Sequence, residues 1–307
     1  MPDKDWTIIV ILGIGWGSAF FFNEILLREM GPVSVSFARV GTAALFCWLW
    51  VFLSGRAAWP GRERLVPLAV LGALMFAIPF AIYPLGQQFV ASGVAGIVNA
   101  LTPVMVVIVS HFWPGGEKAT MLKMLGVLAG FAGIVLLTLP AMAASDQTKL
   151  FGTVVLVLAP ICYAFALNFA RRLETLDSAI MVAWSLSFAA AMLLPVVLAL
   201  EGVPPSLSAV TWVSTAFLGC VLTGASFLVA FRILPRAGPT KTSTVTFIAP
   251  ISALLLGYLV LREALSPLHF GGMAAIFLGL LLIDGRLIAR WLGARALADG
   301  GAGPPRS

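Results

Sequence analysis

At 307 residues the chain is long enough for two soluble domains, yet 60% of it is apolar or aromatic and only 10% is Asp, Glu, Lys or Arg, against about 25% charged in a soluble protein. Nineteen basic and 13 acidic residues cannot cover the surface of a 32.4 kDa soluble fold, mean hydropathy is +1.03, and the net charge of +6 is scattered rather than gathered into a patch. Disorder, a disulfide scaffold and a nucleic-acid-binding face are poorly supported, and the composition is that of an all-α polytopic membrane protein.

A helix needs about 20 apolar residues to cross about 30 Å of hydrocarbon. The run from Thr7 to Phe22 follows Asp3, Lys4 and Asp5 and precedes no cleavage site, so it reads as a first span over residues 6–23 and not as a removable leader. Residues 30–55 form a second span, interrupted only by Arg39. The run 65–116 suits two spans with a turn near Gly86, Gln87 and Gln88. Further spans are predicted over 124–145, 150–170, 178–200, about 209–231, 242–261 and 264–283, ten in all. Connections are short, and the tail 291–307, rich in Gly, Ala and Pro, is expected to be flexible and cytoplasmic.

Orientation follows from Lys and Arg. With the N-terminus inside, the cytoplasmic segments hold 15 of them, the outer segments hold only Arg28, Lys149 and Arg262, and Arg39 lies within a span. Both termini are therefore expected in the cytoplasm.

Shifting the chain by 146 residues brings Glu117 onto Glu263, Gly126 onto Gly272, Phe131 onto Phe277 and Gly133 onto Gly279. This predicts two repeats, 1–145 and 146–290, each with five spans. An odd number per repeat turns the second upside down relative to the first, an arrangement of transporters whose substrate sits near the midplane between repeats.

Polar side chains in hydrocarbon must be bonded or hydrated. In span four Ser92, Gly96, Asn99, Pro103 and Ser110 share one face, bordered by Thr102; in span nine Ser243, Thr246, Pro250 and Gly257 do. Small and hydroxyl residues also serve helix packing, but the amide of Asn99 favours a cavity or an interhelical bond. The other candidates to line a cavity are Trp16 and Asn23 in span one, Tyr83 in span three, Tyr163 in span six, Trp184 in span seven and Thr223 in span eight. Trp16 and Tyr83 have a rival reading as interfacial belt residues. Pro79, Pro103 and Pro250 are candidate kinks. Arg39, a candidate for gating, either snorkels to the outer surface, holds span two, or draws an anionic group toward the cavity.

The glycines Gly126, Gly130 and Gly133 in span five and Gly272 and Gly279 in span ten read as packing seams, between repeats or at a dimer contact. Cys47, Cys162 and Cys220 read as small apolar residues, and the separated His111 and His269 make no metal site; no metal or cofactor is expected. Paired acids, a His cluster or an activated nucleophile would be needed for an enzyme, and none is visible at midspan. A channel fits an inverted repeat poorly. The central sections of spans one, four and nine hold no titratable side chain, so facilitated diffusion or loosely coupled exchange is expected.

With Trp16-Gly17-Ser18, Asn99-Ala100-Leu101-Thr102-Pro103, Gly116-Glu117 and the second-copy stretches Phe247-Ile248-Ala249-Pro250 and Leu261-Arg262-Glu263, the chain resembles EamA-type ten-helix permeases of the drug/metabolite transporter superfamily over about residues 8–285. The resemblance implies a multi-pass protein of the cell inner membrane, two inverted five-helix repeats around a central cavity, and a small organic substrate. Among the implied functions, export of amino acids, as in the aromatic amino acid exporter group, stands first; exchange of other metabolites or export of drug-like compounds is the alternative. It leaves the oligomeric state open, a monomer included. Unlike small multidrug-resistance relatives, the stretch Ile8 to Phe22 carries no acidic residue, which argues against polyvalent-cation efflux.

Overall fold

The structure, a computed structural model, describes residues 2–56, 59–202 and 206–284, with the side chains of 2–5, 233–244 and 246 left out. The expected tail 291–307, Pro204, Pro205 and the side chains of Ser243 and Thr246 therefore lie outside the described residues. Nine described helices are long and apolar enough to cross a bilayer: α1 (Trp6–Leu26), α2 (Pro32–Leu53), α3 (Arg62–Gln87), α4 (Ser92–Phe112), α5 (Met121–Ala143), α6 (Gln147–Leu173), α7 (Ser178–Leu200), α8 (Ala209–Arg232) and α10 (Pro267–Asp284). The shorter apolar helix α9 (Phe247–Leu259) completes the ten.

The backbone joining α8 to α9 is itself helical, part of one stretch Ser226–Leu259. That stretch cannot be straight. The Ser226 hydroxyl accepts a hydrogen bond from Trp16 Nε1, while the Ser252 hydroxyl donates to the carbonyl of Ile14. A straight helix would separate Ser226 from Ser252 by about 39 Å, and Trp16 from Ile14 by about 3 Å. The stretch doubles back, and its two arms are the eighth and ninth crossings. Leu45, Val66 and Leu128 are among many exposed apolar side chains on the outside of the bundle, as a lipid-facing surface requires.

Packing follows the repeat. Helix α5 lies on α10, α2 on α7 and α4 on α9; α2 meets α8 as α7 meets α3. The glycine seams face each other across the α5–α10 contact, so they join the two repeats. A Cβ on Gly126 would stand 2.6 Å from the Gly279 carbonyl oxygen and one on Gly279 2.5 Å from that of Gly126, and Gly133 and Gly272 are matched in the same way. Only glycine lets the backbones come this close.

Two π-helical segments interrupt equivalent spans, Ala73–Ala77 in α3 and Phe217–Ala225 in α8. Moving the first by the repeat offset of 146 places it at 219–223, inside the second. Beside them sit matched close approaches: a Cβ on Gly72 would lie 2.4 Å from the Ser185 carbonyl oxygen, and one on Gly219 2.9 Å from that of Arg39. Ser185 is Arg39 shifted by the same 146 residues.

The helix starts reveal an asymmetry. Helices α5, α6, α7 and α8 are capped by their own Thr120, Asp146, Asp177 and Ser208, each accepting from a first-turn amide. Helices α2 and α4 begin at Gly31 and Ala91, which offer no capping side chain. Their first amides are met by carboxylates of the other repeat. Glu201 accepts from Val33 and Ser34 N–H at 2.9 and 2.8 Å, and Glu263 accepts from Ser92 and Gly93 N–H at 2.7 and 3.1 Å. In return Glu29 accepts from Ser208 N–H at 2.8 Å, and this bond holds the Glu29 carboxyl below the usual carboxylate range. A depressed pKa keeps the Glu29 clasp charged at neutral pH and releases it only as pH falls through that lowered value. All three clasps lie at the end of the bundle where α1 finishes, here the distal end.

Candidate functional site

Between the repeats lies a cavity of about 410 Å³, a size that suits one small organic molecule. Its walls come from α1, α2, α3, α4, α6, α8 and α9. It reaches from midspan toward the end opposite the clasps, where Leu167, Phe231 and Val245 line it.

Helix α4 is broken at the cavity, into Ser92–Asn99 and Thr102–Phe112. The cause is local. Pro103 has no N–H to give to the Asn99 carbonyl, and the Thr102 hydroxyl donates to that carbonyl instead at 2.7 Å. The break turns Asn99 and Thr102 into the wall. The Tyr83 hydroxyl donates to Asn99 Oδ1 at 2.6 Å. Tyr83 is buried with its ring edge-on to Phe20 at 5.0 Å and 6.3 Å from the Tyr163 ring. Trp16 lines the cavity and packs 5.5 Å from Phe227. Trp16 and Tyr83 are thus wall residues here, not members of an interfacial belt.

Arg39 turns into the bundle. It does not snorkel: it is 6% exposed and lines the cavity. Its Nε donates to the Thr223 hydroxyl at 2.8 Å, and its guanidinium carbon stands 3.6 Å from the Phe80 ring centroid. Thr223, fully buried behind Arg39, donates its own hydroxyl hydrogen bond to the Leu218 carbonyl at 2.8 Å, a bond five residues back that the π segment makes available.

Other candidates lie elsewhere. Asn23 is buried outside the cavity and donates to Gln87 Oε1 at 3.0 Å, while Gln87 donates to the Phe20 carbonyl, tying α1 to α3 near the distal end. Trp184 packs against Trp48 and Trp59 in the α2–α7 region, away from the cavity. Pro79 follows the π segment of α3 and is buried, and Pro250 lies within α9 next to the lining residue Ala249. The Thr246 side chain is outside the described residues. Sequence reasoning passed over Phe80 and Phe227, although Phe80 lies three residues before Tyr83 and Phe227 four after Thr223, the spacing of one helical face.

A pair of matched five-helix halves enclosing such a cavity defines a membrane transporter of the inverted-repeat kind. The EamA-like transporter family profile matches residues 6–139 and again 150–284, and the chain belongs to that family. It is similar to the transporter YoaV of Bacillus subtilis (28% identity over 90% of this chain and 92% of YoaV). The inner membrane transporter YedA of Escherichia coli K12 is 24% identical over 89% of this chain and 88% of its own, and the protein PecM of Dickeya dadantii 26% over 88% of each. One crystal structure shares the fold at a TM-score of 0.66 and 19% identity, covering 94% of this chain and 99% of that one.

Replacing Asn99 by leucine is expected to remove the Tyr83 bond, leave purified yield near that of the wild type, and lower flux at least tenfold. Wild-type flux from the Leu variant would take Asn99 out of the site.

Proposed function

We propose that the protein is a secondary transporter, not an enzyme, that exports small organic metabolites by alternating access across the cell inner membrane. Amino acids, aromatic or otherwise neutral, are the first substrates in view. The observation that carries this reading is the aromatic-walled cavity between the repeats, clasped at the distal end and reaching toward the other. Repeats 1–145 and 146–290 supply its two halves, with both termini in the cytoplasm, so that the described state is open toward the cytoplasmic side. The charge distribution supports that orientation, and YedA, an inner membrane transporter by name, supports the membrane.

Purified protein in liposomes should take up labelled phenylalanine saturably, and faster when unlabelled phenylalanine is loaded on the opposite side. Flux that stays linear with concentration and shows no such acceleration would mean a channel. Topology is checked separately: reporter fusions at Ala143 should read periplasmic and those at Ala298 cytoplasmic, and the reverse result at either site would break the proposed orientation.

A further inference from the structure

The cavity holds a formal charge with no carboxylate partner among the described residues. Arg39 forms no ion pair among the described residues. Every described Asp or Glu lies in a connection or within three residues of the end of a spanning helix. The guanidinium is fixed by Thr223 at Nε and by the Phe80 ring beneath it, yet neither terminal nitrogen meets a hydrogen-bond acceptor among the described residues. A role confined to joining α2 to α8 uses Nε and leaves these donors unexplained. A desolvated cation with free donors at a cavity wall is a site for an anion.

The shape of the site narrows the anion. Two terminal nitrogens on one planar guanidinium match a carboxylate in a two-point bond. Arg39 is the one basic side chain among the described lining residues, so a phosphate ester or dicarboxylate would bring a second charge with no partner. The remaining wall is chiefly flat and apolar, with Trp16, Phe20, Phe80, Tyr163 and Phe227 prominent. Opposite charge for an ammonium is absent from the described wall, which offers only the uncharged oxygens of Tyr83, Asn99, Thr102 and Tyr163 and aromatic faces.

Resting on the transport reading above, we infer that the cavity is a carboxylate site: Arg39 receives the carboxylate of an aromatic or apolar monocarboxylate, and an α-amino group is not required for recognition.

The test uses the purified full-length protein and three probes of one shape: 3-phenylpropanoate, its uncharged amide, and 2-phenylethylamine. Binding is read by titration calorimetry. The wild type is expected to bind the carboxylate at least tenfold more tightly than the amide, with the amine no tighter than the amide. In Arg39→Gln the carboxylate and amide should fall within twofold of each other; in Arg39→Lys a reduced preference for the carboxylate should remain. The inference is overturned if the wild type binds carboxylate and amide alike, if 3-phenylpropanoate shows no saturable binding, or if folded Arg39→Gln keeps the preference. Should Arg39→Gln not purify, the wild-type series and Arg39→Lys still decide. Flux separates the two readings: equal transport of amide and carboxylate retains the transporter and removes the carboxylate site, whereas selective carboxylate binding without flux does the reverse.

Discussion

Gly17→Leu is expected to abolish recovery of folded protein from detergent. Helix α1 passes α9 with almost no space between backbones. A Cβ on Gly17 would lie 1.9 Å from Ser252 Oγ and 2.0 Å from the Ala249 carbonyl oxygen, and one on Gly13 2.6 Å from Ile248 Cβ. The obstacle at Gly17 includes backbone, which cannot rotate away. Overpacking in an interior costs about 1–3 kcal/mol, and a leucine here must also push α1 off α9 and forfeit the close contact that holds them in lipid. Ala249 lines the cavity, so the same displacement opens its wall. Gly41→Leu is the control, because a Cβ there meets nothing within 4 Å. Gel filtration and thermal melting decide the matter. A monodisperse Gly17→Leu protein melting with the wild type would mean that α1 and α9 are not packed in this way.

Glu263→Ala is expected to lower transport at least tenfold while the protein still purifies. The carboxylate meets the first two amides of α4, a helix with no cap of its own. Hydrogen bonds to a charged group contribute about 1.5–3 kcal/mol each, and a negative charge at a helix start adds to this. Without them the distal end of α4 is released from the second repeat. The same helix carries Asn99 and Thr102 into the cavity, so losing its anchor disturbs both closure and the wall. Hydrogen exchange should rise at the amides of Ser92 to Ile97. Glu263→Gln, which keeps one acceptor oxygen and no charge, should fall between wild type and Ala. Unchanged exchange and unchanged flux in Glu263→Ala would show that the clasp holds nothing.

Much of this architecture is legible in the sequence because hydrocarbon is an exacting solvent. Charges mark helix ends, so the run lengths from Thr7 to Asp284 predict the ten crossings and their order. The glycines of α5 and α10 announce a close contact, and the offset of 146 pairs them. The polar face of α4 finds Asn99 and Thr102, since polar groups in an apolar helix have few places to go. What periodicity does not give is the rotation of one helix against its neighbour. Helix α7 is apolar apart from Ser178, Ser185 and Ser187, too little polarity to say that Trp184 turns toward Trp48 and away from the cavity. Asn23 shares a face with Trp16 but sits near the end of α1, where Gln87 of α3 reaches it. Arg39 illustrates the same limit: a long side chain in a span has room to rise to the surface, and only the placement of Thr223 and Phe80 turns it inward. The π segments were not legible: they lie where α3 approaches α7 and α8 approaches α2, and no local residue pattern marks them.

The borrowed caps bear on how the molecule is made. The carboxylates that complete the starts of α2 and α4 lie about 170 residues downstream of the amides they serve. During synthesis both helices therefore enter the bilayer with their leading amides satisfied only by water or headgroups, and they stay so until α7 and then α9 have been threaded. A nascent chain halted after the first repeat is an unfinished half, whereas the second repeat brings caps of its own for α6, α7 and α8.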